Sequence, residues 1–180
     1  MEQASMHLSQ SSSAPPEAVY DLLANLETHL TWAGTQQTSD FRLLSLDAPA
    51  TPATVGTTFS STGSIPMSSQ RWVDRSNVTA AARPNTFEFV TTATTRGGRR
   101  SMEATYRHRY EIEAAPGGSK VSYTMTQLAA SNPLLRLSLP VVRELTWRLG
   151  IPFMAGRGFR NLVAFADQRA QQDSFAGSNR

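Results

Sequence analysis

Along the chain the hydrophobic pattern changes period three times, and each change marks a new kind of element. Met6, Leu8 and Gln10 alternate with Ser5, His7 and Ser9, which predicts a short first strand. In Ser12-Ser13-Ala14-Pro15-Pro16-Glu17 the order is that of a helix start. Ser13 or Ala14 falls near the cap, proline occupies the first turn, and Glu17 complements the helix dipole. Val19, Leu22, Leu23 and Leu26 then recur at helical spacing, and a second short helical turn is expected over 27–32. Period two returns at Phe41, Leu43 and Leu44. It continues over 57–63 about Phe59, then over 70–82, 86–95, 101–115 and 119–128, each read as a strand, with a loop over 47–54. Gly97-Gly98 and Pro116-Gly117-Gly118 separate alternating runs and read as hairpin turns.

The last third returns to helical spacing. Residues 134–149 are apolar and Leu-rich, and Gly150-Ile151-Pro152 breaks or kinks the helix. Beyond it Phe159, Leu162, Val163 and Ala166 share one face, with Arg157, Arg160, Asp167 and Gln168 largely on the other. One domain is expected over 1–172, with a polar, flexible tail over 173–180. A run of strands cannot leave its apolar face open to water, and only the C-terminal helix is long enough to cover it. The expected class is therefore α+β. A curved antiparallel sheet of about seven strands wraps a long C-terminal helix, with two short helices after the first strand. A curved sheet gripping a helix leaves an internal apolar cavity, the natural ligand site.

Composition narrows the partners. With 180 residues, 39% of them hydrophobic, the chain can build one domain with a sizeable core. The absence of cysteine excludes a disulfide framework, a thiol nucleophile and a Cys-ligated metal. No basic region followed by an apolar one opens the chain, so a signal peptide is not expected and a cytoplasmic location is. The net charge of +3 is spread over alternating signs, with Lys120 the only lysine, which does not point to nucleic acid. No window reaches the ~18 uninterrupted apolar residues of a membrane span. His7 and His29 have no partner at metal-ligand spacing, and neither a phosphate loop nor a G-x-S-x-G motif is present, so no metal and no cofactor is expected. A homodimer stays open.

Four stretches, taken in order, carry a family resemblance. Residues 13–23, Ser-Ala-Pro-Pro-Glu-Ala-Val-Tyr-Asp-Leu-Leu, resemble the opening helix of the helix-grip proteins of the START and pollen-allergen superfamily, also called SRPBCC. Val55-Gly56-Thr57-Thr58-Phe59 resembles that family's "VGT-x-F" strand. Val78 through Pro84 and Phe87 resembles its "V-x-x-x-x-P-x-x-F" step, and Pro116-Gly117-Gly118-Ser119-Lys120-Val121 its "P-x-GGT-x-V" hairpin. The branch most similar is the polyketide cyclase/dehydrase and lipid-transport group. The resemblance covers roughly Met6 to Arg169. It implies the helix-grip fold and its apolar cavity, and it implies no particular reaction, because fold is not function.

Strand parity selects the side chains that face the helix. In the run over 101–115, Met102, Ala104, Tyr106, His108, Tyr110 and Ile112 share one face, opposite a charged set that must meet water. His108 is thereby set inside, between two tyrosines, as a candidate general acid or base. Tyr106 and Tyr110 are candidate donors to a carbonyl or enolate oxygen. The alternative is that His108 only orients a ligand. Trp72, Asp74, Ser76 and Val78 share a face, and if Val78 packs inward, as its family match implies, Asp74 does too. Asp74 is then a candidate orienter for His108, at about 10 Å between backbones. It is otherwise a residue near the mouth, paired with an arginine. Phe87, Phe89, Val121, Tyr123 and Met125 fall on the inward parity, more as wall and core than as contacts to a cofactor, and Trp147, Phe153 and Phe159 lie on or near the last helix. Trp72, Phe59, Phe87, Phe89, Tyr123, Met125, Trp147, Phe153 and Phe159 are the candidate ligand contacts, or simply core.

Two functions follow. The first is binding of a hydrophobic small molecule (polyketide, lipid or isoprenoid-like) in the cavity. The second is a cofactor-free polyketide cyclase, aromatase or dehydratase with His108 as its acid–base group, so enzyme activity stays undecided. A third class, partner binding through the apolar 134–154 segment, stays open.

Overall fold

The structure, a computed structural model, describes residues 4–34, 42–50, 52–64, 71–96, 103–131 and 146–178. The alternating runs become β1 (Ser5–Ser12), β2 (Arg42–Asp47), β3 (Thr58–Ser64), β4 (Arg71–Ala82), β5 (Thr86–Arg96), β6 (Glu103–Ala115) and β7 (Gly118–Ala130). The helical runs become α1 (Pro16–Ala24) and α2 (Ile151–Ser178), with π-helical turns at Leu30–Gly34 and Thr146–Gly150. Phe41, the Gly97-Gly98 turn, Met102 and residues 134–145 of the 134–149 segment lie outside the described residues.

All seven strands make one antiparallel sheet in the order β1-β7-β6-β5-β4-β3-β2. Register shifts at Leu43/Ser45, Val78/Ala80 and Thr105/Tyr106 interrupt the ladders. Such bulges bend a strand and raise its twist, which lets a sheet curl around a helix. The helix it curls around is α2, whose predicted face of Phe159, Leu162, Val163 and Ala166 is buried. Phe87, Val78, Ile112 and Val121 from the sheet and Leu23 and Leu26 from the α1 region complete the core. Each such side chain stabilises the fold by about 1.5–3 kcal/mol.

At two of three places the local structure departs from the sequence pattern. The α1 cap is Pro15 and makes no side-chain bond, whereas Ser13 or Ala14 was expected near that position. The serines before it are engaged elsewhere. Asp167 Oδ1 on α2 accepts hydrogen bonds from Ser12 Oγ (2.6 Å), the Ser13 amide (2.7 Å) and Ser13 Oγ (3.1 Å). At the other junction, Gly150-Ile151-Pro152 does separate two helical pieces, but Pro152 sits in the first turn of α2. A missing N–H costs nothing there. Finally, α2 runs on to Ser178, through most of the stretch expected to be a flexible tail. No helix among the described residues is long and apolar enough to cross a membrane.

Candidate functional site

The inner face of the sheet is a series of cross-strand rows fixed by the register. Phe87, Tyr110, Tyr123 and Leu8 make one row, on β5, β6, β7 and β1. Val78, Phe89, His108 and Met125 make the next. Ser76, Thr91, Tyr106 and Gln127 follow, then Ser61, Asp74, Ala93 and Ala104, and last Gly63, Trp72 and Thr95. Every described residue assigned inward by parity lies on this face.

The rows differ in how fully they are covered. Phe87, Tyr110, Ile112, Val121 and Tyr123 are buried, and Phe159 of α2 stacks on Tyr123 with ring centroids 6.0 Å apart. Towards the other end Trp72, Asp74, Ala93, Ala104, Tyr106, His108, Met125 and Gln127 are only half-buried although they point at the interior. The interior is thus packed solid at one end and retains accessible surface at the other.

His108 stands at the boundary. Its ring stacks on Phe89, centroids 4.8 Å apart and planes 14° from parallel, and its Nδ1 lies 2.7 Å from the Tyr123 hydroxyl in a hydrogen bond. Tyr123 is its diagonal neighbour across β6 and β7, the second class of close pair in an antiparallel sheet. The partner of His108 is thus a tyrosine of the adjacent strand rather than Tyr106 or Tyr110, which flank it on its own strand. Desolvation lowers the His108 pKa to about 4, so the imidazole is neutral at physiological pH. Burial raises the pKa of Tyr110 and of Tyr123, so both stay protonated as well.

Asp74 does not pair with His108. The register sets Asp74 against Ala93 and Ala104, whereas His108 faces Phe89 and Val78. Four residues along β6 at ~3.3 Å each, with two strand spacings across, separate the backbones by about 16 Å. Nor does Asp74 meet an arginine among the described residues. Its Oδ1 is enclosed with no hydrogen-bond partner among the described residues, and burial raises its pKa to about 7. Burial first, and the Asp74 charge after it, also raise Tyr106, against a lowering hydrogen bond from Gln127. Trp147 is buried with its ring 6.5 Å from that of Tyr106, which brings the start of α2 to this end. Trp72 lies across Gly63 on β3, where an added Cβ would collide with the indole, and its Nε1–H donates to the Ser64 carbonyl at 3.1 Å. Phe59 meets Phe89 edge-on at 5.4 Å, and Phe87 meets Tyr20 of α1 at 6.0 Å, deep in the core. The Phe153 side chain lies outside the described part of the structure.

His29, set aside in the sequence for want of a metal partner, proves to be a core aromatic. It is buried between Trp32 and Phe59, with centroids at 4.6 and 6.4 Å, and its Nε2–H donates to the Leu23 carbonyl at 2.9 Å. Desolvation lowers its pKa to about 4. Its position just beyond the end of α1 gives no such signal in sequence, because only the fold brings Phe59 of β3 against it. Ser76 and Thr91 were likewise missed as a polar pair. Their hydroxyls share a buried 2.9 Å hydrogen bond beside Asp74 and Tyr106. A surface depression of about 760 Å³ lies mostly on the opposite face of the sheet. Outward side chains such as Thr58, Arg75, Asn77 and Thr92 line it, so it is not the expected interior site.

Comparisons with known proteins agree with this geometry. An uncharacterised protein from Rhizobium leguminosarum superposes with a TM-score of 0.63 at 14% identity, over 93% of this chain and 96% of that one. Protein Ms6760 from Mycobacterium smegmatis gives 0.61 at 12% identity, over 92% and 96%. Ara h 8.0201 gives 0.60 at 14% identity, over 92% and 98%. Likeness at such identities is likeness of fold. No curated protein sequence matches the chain. A family model described as "Polyketide cyclase / dehydrase and lipid transport" matches residues 3–164. With nearly the whole chain matched and the helix-grip architecture in place, this protein belongs to the polyketide cyclase/dehydrase and lipid transport family.

Proposed function

We propose that the protein binds an apolar small molecule in a recess between the inner face of the sheet and α2, on the side marked by Trp72, Tyr106 and His108. One observation carries this reading. The His108 ring stacks on those of Phe89 and Tyr123, with centroids 4.8 and 6.1 Å apart, yet the residue is only half-buried. A residue so enclosed on the inner face and still accessible borders an internal space. Aromatic walls with a few polar groups are the usual lining of such a site. The family description, which names lipid transport beside cyclase and dehydrase chemistry, supports a hydrophobic ligand of polyketide, lipid or isoprenoid type.

The enzymatic alternative has less to rest on. A general base works best with a pKa near the operating pH, and an imidazole at about 4 is a weak one. Its hydrogen bond to Tyr123 and its stacking on Phe89 suit a fixed wall and orienting group. Native mass spectrometry of the purified chain, with organic extraction, tests the reading. A retained apolar molecule that raises the melting temperature on re-addition is expected. A chain that emerges empty, and that no apolar compound stabilises, would sink it. If His108→Ala left affinity intact while abolishing turnover of that compound, the carrier reading would give way to the enzyme.

A further inference from the structure

We infer that the bound molecule carries a protonated amine, held by the Asp74 carboxylate beside the rings of Trp72, Tyr106 and Trp147. The inference rests on the binding reading above and narrows it to a chemical class. Asp74 is the one acid on the inner face of the sheet among the described residues, and no arginine or lysine of the described residues shares that face. Its Oδ1 is closed off from water and takes no hydrogen bond there. A buried acceptor left so costs about 1–3 kcal/mol, more when charged, unless something else supplies the donor. The neighbours in its row, Ser61, Ala93 and Ala104, are small. The neighbouring rings are aromatic. Trp72 lies two residues back on the same strand face, Tyr106 is close enough to feel the Asp74 charge, and Trp147 stands against Tyr106. A carboxylate with aromatic faces around it attracts a cation twice over, by charge and by the ring quadrupole. A fatty acid would set a second negative charge beside the first, so the same arrangement selects against anionic lipids.

Decylamine, decanol and decanoate share one apolar chain and differ in charge, which makes them the probes. Binding is followed by tryptophan fluorescence and calorimetry on the full chain at about pH 8, where Asp74 is ionised. Decylamine is expected to bind about tenfold tighter than decanol, with decanoate weakest. Asp74→Asn is expected to remove the amine's advantage and leave decanol within about twofold. A second measurement needs no variant. Among the described residues, the titratable groups facing Asp74 from packed elements are Tyr106 and, two rows on, His108, and both stay neutral from about pH 5 to 8. Lowering the pH over that range protonates Asp74 alone among them, so the amine's advantage should shrink. Decanol binding as tightly as decylamine in the unaltered chain, or an amine preference that survives Asp74→Asn, would overturn the inference and leave the binding reading standing. Binding of none of the three would overturn both.

Discussion

Three side chains hold their unusual charge states because the fold removes water from them. His29 and His108 are pushed down to about 4 by burial, and Asp74 is pushed up to about 7 by the same cause. The consequences for stability have opposite signs. A histidine whose pKa is lowered on folding is penalised when it must charge, so its contribution is complete above about 6.5 and is lost as the pH falls towards 4. A carboxyl whose pKa is raised is penalised when it ionises, so its penalty grows as the pH rises from 3.8 to about 7 and is complete above that. Two histidines against one carboxyl leave a net loss of stability on acidification between pH 6.5 and 4. Denaturant unfolding across this range should show it, and a flat profile would contradict the placement of both imidazoles. Asp74→Asn removes the opposing slope. At about pH 8 this variant should be more stable than the parent by an amount on the order of 2 kcal/mol, and near pH 4 no more stable. Destabilisation at both pH values would mean that Asp74 has a partner its surroundings do not suggest.

At the scale of elements, α2 is held by two kinds of contact. Its apolar face fills the grip, and Asp167 fastens its far side to the junction of β1 and α1 through three hydrogen bonds on one oxygen. Hydrogen bonds to a charged acceptor contribute about 1.5–3 kcal/mol each at most and are not additive. Asp167→Ala should therefore cost roughly 2–3 kcal/mol in chemical denaturation, with Asp167→Asn recovering part of it. A loss within experimental error would make the clamp incidental. This contact was not legible in the sequence, where Asp167 reads only as a polar position on an amphipathic helix. The inward set on each strand was legible, because parity is local: Tyr106, His108 and Tyr110, or Trp72 and Asp74, follow from counting by two. What counting cannot supply is the level at which two strands meet. That depends on turn lengths and on bulges such as Val78/Ala80. It is why Asp74 stands about 16 Å from His108 and why Tyr123, one hairpin on in the chain, is the histidine's partner.

For the whole molecule, the gradient from packed to accessible rows should be visible in its dynamics. The Tyr110 and Ile112 rows sit under α1 and α2, while the Trp72 and Asp74 rows keep accessible surface. Opening free energies in a protein follow local packing. Amide hydrogen exchange should therefore be slowest in β6 and β7 around Ile112 and Val121, and faster in β4 and β5 around Trp72 and Thr95. A bound apolar ligand should slow the second group selectively. Uniform exchange across the sheet, with or without ligand, would argue that both ends are equally closed.

The strand order also sets a timetable for synthesis. β1 and β2 are consecutive in the chain but occupy opposite edges of the sheet, and β1 pairs only with β7. The partner of Ser12 is Ser119, so once made, β1 has no neighbour in this sheet until more than a hundred further residues have been made. At ~5–20 residues per second that is a wait of roughly 5–20 s, during which an unpaired apolar-edged strand is open to chaperones or to other nascent chains. The polar positions Ser5, His7, Ser9 and Ser11, which alternate through β1 and keep one of its faces hydrophilic, make that wait safer than a continuous apolar strand would.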